Sequence, residues 1–130
     1  MRRPPLPLPS LAVTPSRLAV YGLVTMTAQG RIADRAAMKV LQWVPGLRLS
    51  IRERCGLIVV SADQQGVFKV AEQGHVRLPA VVRHWCGLAA GDRIFIVAEP
   101  ASRRLVVYPP AKLDEIVAQA HKAAFGGDHE

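Results

Sequence analysis

The sequence predicts a mainly β fold in which two tandem copies of one small unit, each with one short helix, interleave into a barrel of about eight strands. A further helix follows at the C-terminus. Three observations predict this. Residues 23–43, LVTMTAQGRIADRAAMKVLQW, align with residues 67–87, VFKVAEQGHVRLPAVVRHWCG, at an offset of 44. From Val20 to Tyr108 short β-type runs are punctuated by Gly and Pro. After Pro109-Pro110, the residues Leu113, Ile116, Val117 and Ala120 keep a helical i, i+3, i+4, i+7 spacing.

These features divide the chain into a Pro-rich arm (1–17), copy one (18–63), copy two (64–110), a C-terminal helix (111–125) and a tail (126–130). In the arm, Pro4, Pro5, Pro7, Pro9 and Pro15 favour an extended, flexible segment over a secretory helix. Each copy then reads strand, tight turn at Gln-Gly (Gln29-Gly30 and Gln73-Gly74), strand, helix, Gly turn and two-stranded hairpin. Asp34 is placed to cap the first helix. Pro79 suits the first position of the second, and Gly87 its left-handed terminus. Gly46, Arg48 and Ile51 fall on Gly91, Arg93 and Ile96, and Leu57–Val60 on Leu105–Tyr108. A unit of little over 40 residues has too much surface for its volume to fold alone. Its apolar strand faces call for a second copy, which the chain itself supplies.

Composition narrows the function. Seventeen Lys+Arg against ten Asp+Glu give a net charge of +7, which suits a polyanionic partner. The excess is uneven: residues 1–65 hold nine basic and three acidic side chains, residues 66–130 eight and seven. Aromatic residues make up only 5 %, against a platform for stacking single-stranded bases. Two cysteines, Cys55 and Cys86, make neither a disulfide scaffold nor a four-ligand zinc site, and read as reduced thiols of a cytoplasmic protein. His84-x-Cys86 has no second pair to complete a metal site. No apolar run reaches the ~20 residues of a membrane helix. No nucleophile–base order, phosphate loop or paired carboxylates appear, so neither an enzyme nor a cofactor is expected.

The second copy, GHVRLPAVVRHWCGLAAGDRIFIVAEPASRRLVVYPP, resembles the AbrB/MazE/SpoVT family of swapped-hairpin DNA-binding domains. The family pattern runs Gly-Arg-hydrophobic-x-hydrophobic-Pro, a short helix, Leu-Gly-hydrophobic-x-x-Gly-Asp and a β-hairpin. Here Gly74, Val76, Leu78, Pro79, Gly87-Leu88 and Gly91-Asp92 fill it. The likeness covers residues 67–110, and the repeat extends it weakly to 23–62. It implies two copies interleaved in one AbrB-like barrel, with basic residues of the turn and short helix meeting duplex DNA. The family's members include bacterial transcription regulators and antitoxins. Copy one departs further from the pattern. The family's Arg after the turn glycine is Arg31 in copy one and His75 in copy two. Its basic helix pair is Arg83-His84 in copy two and Lys39-Val40 in copy one. Its proline is Pro79, replaced by Arg35 in copy one.

The DNA-contact set that follows is Arg31, Arg35 and Lys39 with His75, Arg77, Arg83 and His84. Arginine bonds bidentately to guanine or phosphate, whereas lysine acts as a point charge. Most such contacts position a protein on the backbone without reading sequence. The competing reading of each residue is an ordinary solvated face. His75 and His84 add an expected tightening of binding as imidazoles protonate below about pH 6.5. Trp43 and Trp85 are expected as packing anchors, and the C-terminal stripe as a face packed on the barrel. The reading as a bacterial transcription regulator has two rivals: an antitoxin-like protein with a toxin partner, and a barrel that has lost DNA binding. Closure between two chains, giving a homodimer, is an open alternative to closure within one.

Overall fold

The computed structural model describes residues 19–126; the Pro-rich arm with Arg2 and Arg3, and residues 127–130, lie outside the described residues. Copy one supplies β1 (Val20–Thr25), β2 (Arg31–Ile32), α1 (Arg35–Leu41), β3 (Arg48–Arg54) and β4 (Leu57–Ala62). Copy two supplies β5 (Phe68–Lys69), β6 (Val76–Arg77), α2 (Ala80–Trp85), β7 (Arg93–Glu99) and β8 (Arg104–Tyr108). A single 3₁₀ turn, Pro100–Ser102, separates β7 from β8, and α3 (Pro110–Phe125) follows β8. Six strands form one antiparallel sheet in the order β1-β7-β8-β4-β3-β5, and β2 pairs with β6 in a separate ribbon. The eight strands thus do not share one closed ladder: β1 and β5 stand at the two ends of the sheet.

Among the described residues, only the hairpins β3–β4 and β7–β8 are internal to a copy. Every other ladder joins the copies: β1 to β7, β5 to β3, β2 to β6 and β4 to β8. The registers repeat as well. Val24 and Thr25 face Ile94 and Arg93, just as Phe68 and Lys69 face Leu49 and Arg48. Beyond the ladders, the Met26 N–H donates to the Asp92 carbonyl at 2.9 Å, and the equivalent Val70 N–H to the Leu47 carbonyl at 2.9 Å. This agreement, strand by strand, describes a pseudo-two-fold relation between the copies.

Alternation along the strands decides what is buried. Leu49, Ile58, Val60, Ile94, Ile96 and Val107 are at most 2 % exposed and meet Ile32, Val76 and Leu78 in one cluster drawn from both copies. Each such side chain contributes about 1.5–3 kcal/mol when fully buried. Neither copy could recover that alone. The Asp34 carboxylate accepts from the Ala37 N–H at 2.9 Å and caps α1, as its place in the sequence predicts.

Four expectations need correction. Pro79 is the cap of α2 rather than its first residue, because its extended ψ of 146° precedes the helix. The strand expected before the Gln73-Gly74 turn shrinks to two residues. The chain must turn from β4 through Asp63–Gly66, and the Gly66 N–H donates to the Asp63 carbonyl at 2.9 Å. The counterpart strand β1 runs six residues. Trp43 is buried at 5 %, but Trp85 is 74 % exposed and anchors nothing. Finally, α3 has no buried residue: Leu113 is half-buried, while Ile116, Val117 and Ala120 are exposed. The helix lies against β7 and β8 mainly through its first turns, leaving most of the predicted stripe uncovered.

Candidate nucleic-acid interface

The two-residue ribbon β2–β6 is the centre of the candidate site. Ile32 and Val76 point inward, so period two sends Arg31 and Arg77 outward, and the register sets them directly opposite one another. Both are exposed. Facing residues on antiparallel strands have Cβ atoms about 4.5–5.5 Å apart, and like charges there are destabilising. Among the described residues the ion pairs are Arg104–Glu99 and Lys112–Glu115, so none of the seven candidate residues is neutralised by a carboxylate within 4 Å.

Copy two also holds the turn of copy one. Thr27 starts that turn, its hydroxyl accepting from the Arg31 N–H at 3.0 Å. Arg77 Nε donates to the Gln29 carbonyl at 2.9 Å, and the Leu78 N–H to the Gly30 carbonyl at 2.8 Å. Arg83 lies against the same turn: a Cβ on Gly30 would come within 3 Å of three of its side-chain atoms. Gly30 has φ +81°, so both backbone and space require glycine there. Arg83 Nε donates to the Leu78 carbonyl at 3.0 Å. Arg83 is therefore half-buried and partly committed to holding the turn, unlike the freer Arg31.

His75 lies beside Arg31 across a groove of about 360 Å³ that also includes Thr25, Thr27 and Gln73. Partial burial, and then the Arg31 guanidinium, lower its pKa from the ordinary 6.5, so the imidazole is neutral at neutral pH. Arg35 and Lys39 are exposed on α1 and line a second groove, of about 750 Å³, whose far wall is Gln73-Gly74. The structure thus gathers Arg31, Arg77, Arg83 and His75 around the ribbon, and sets Arg35 and Lys39 beside the turn of copy two. His84 is exposed on α2, outside either groove.

The ladder adds a pair that the sequence reading passes over. Arg48 and Lys69 face each other on β3–β5, a second like-charged couple on exposed positions. The repeat alignment held the signal, since Arg48 and Arg93 are equivalent, but only the pairing shows what Arg48 meets. Cys86 is half-buried, and burial together with Glu53 raises its pKa, so it remains a thiol. Among the described residues no three His, Cys, Asp or Glu side chains are grouped to hold a metal, and no helix is long and apolar enough to cross a membrane. No family model matches the chain, and neither the curated proteins nor the solved structures compared with it give a match.

Proposed function

We propose that the chain binds double-stranded DNA, as a bacterial transcription regulator of the AbrB/MazE/SpoVT type. The observation that carries this reading is the Arg31–Arg77 pair. Two arginines at directly opposed places of the ladder, exposed and, among the described residues, without an acidic partner within 4 Å, cost stability that a polyanion would offset. The exchange of strands between the copies supports a swapped-hairpin barrel of the kind that the resemblance implies. In this reading the ribbon meets the phosphate backbone near the pseudo-two-fold axis, and Arg35 and Lys39 extend the contact along α1. Arginine at these places can reach phosphate or guanine edges.

A mobility-shift assay on random and genomic duplexes at two salt concentrations tests the proposal. Retention that weakens with salt supports it, and preferential retention of a genomic sequence supports the regulator. No retention at either salt concentration contradicts both. A second reading, an antitoxin-like protein with a toxin partner, draws on the uncovered stripe of α3. Co-purification with a small toxic protein would favour it.

A further inference from the structure

The two ends of the six-stranded sheet are built differently. At one end β5 has two residues, one of them Lys69, and the rest of β3 beside it carries Arg52, Glu53 and Arg54. Short length and charge are the usual devices that keep a strand edge from pairing. At the other end β1 has six residues, VYGLVT, with no charge and no proline. Its outer face shows Tyr21 at 61 % and Leu23 at 53 % exposure, both beside Phe95 and Val97 of β7. Among the described residues nothing pairs with the outer edge of β1.

We propose that this edge is an interface between two copies of the chain, joined by antiparallel β1–β1 pairing across a two-fold axis. The free N–H and C=O groups of an edge call for another strand, and an uncharged strand is compatible with itself. The chain leading directly into β1 is a poorer occupant. Pro9 and Pro15 leave at most Ser10–Thr14 as uninterrupted donors there, and proline cannot donate to a ladder. Charge favours the antiparallel sense. Thr25 faces Arg93 at one end of β1, while Val20 lies beside Ala98 and Glu99 at the other. Antiparallel pairing sets the two copies of Arg93 at opposite ends of the joint, whereas parallel pairing would bring them to the same end. The assembly closes as a dimer, since the charged β5 end does not propagate it. This inference does not rest on DNA binding.

Sedimentation of the full chain over a concentration series tests it, with hydrogen exchange of Val20–Thr25 followed at the same concentrations. The expected mass is twice 14.1 kDa, falling to one chain in Leu23→Lys with an unchanged circular dichroism spectrum. Val67→Lys, at the equivalent place in copy two, should leave the dimer intact. Should Leu23→Lys not fold, exchange in the unaltered chain decides, because β1 amides should gain protection as concentration rises. A single-chain mass throughout, a dimer that survives Leu23→Lys or dissociates with Val67→Lys, or concentration-independent exchange would each overturn the proposal.

Discussion

Ile32 and Val76 hold equivalent places in the two copies and face each other across the β2–β6 ribbon, at 3 % and 1 % exposure. The pseudo-two-fold axis therefore passes through a buried contact that belongs equally to both copies. Directly beside it on the outer surface stand Arg31 and Arg77. The arrangement couples folding to the candidate site, since the apolar side of the ribbon fixes the register that opposes the two cations.

Truncating this contact should cost stability throughout the chain. Ile32→Ala is expected to lower the unfolding free energy by about 2–5 kcal/mol, read from urea denaturation. Because the ladders cross between copies, the loss should appear in one cooperative transition. Two separated transitions would show copies that fold independently.

Arg31 and Arg83 should respond differently to removal. Arg31→Ala is expected to weaken DNA binding by roughly tenfold, about 1.4 kcal/mol, with a slightly raised melting temperature as the opposed charge is relieved. Arg83 also packs on Gly30 and donates to Leu78, so Arg83→Ala should lower the melting temperature as well as affinity. Thermal melts beside binding titrations of both variants check the distinction. Equal melting temperatures would remove the structural part assigned to Arg83.

His75 should link pH to both stability and binding. Its folded-state pKa lies below the ordinary 6.5, so the unfolded chain takes up its proton first as pH falls. The stability this supplies is complete above that value and is lost as pH drops from 6.5 through the lowered pKa. Bound phosphate favours the imidazolium, so DNA affinity should rise over the same window. Titrations against pH should show both trends, and His75→Gln should reduce them. A pH dependence unchanged in that variant would take His75 out of the interface.

The two tryptophans offer a check on the packing. Trp43→Ala should cost about 3–5 kcal/mol, whereas Trp85→Ala, at an exposed site, should stay within about 0.5 kcal/mol. In the unaltered chain, acrylamide should quench one tryptophan readily and the other poorly. Equal access of both would contradict the placement.

Much of this was legible in the sequence because the repeat preserves order: turn glycines, helices and hairpins recur, and the Gln-Gly turns place Arg31 and Arg77 on exposed strand positions. Trp85 was not legible. It aligns with Leu41, which is buried at 9 %, and one-dimensional spacing could not show that α1 packs on β1 and β7 while α2 packs on no strand to a comparable extent. The two-residue β5 offers α2 far less than the six-residue β1 offers α1. The stripe of α3 misled for a related reason. Helical periodicity shows that a face is apolar, but not whether the sheet is wide enough to cover it. The opposition of Arg48 and Lys69 depends on register between distant strands, which no local pattern reports.

The most direct measurement is the dependence of duplex affinity on salt, taken by fluorescence anisotropy for the unaltered chain and for Arg31→Ala/Arg77→Ala. If about five side chains neutralise phosphates, log K should fall against log salt with a slope of roughly −4.5, and the double variant should be flatter by about 1.8. A slope near zero, or one that the double variant leaves unchanged, would contradict the assignment of the ribbon arginines to DNA.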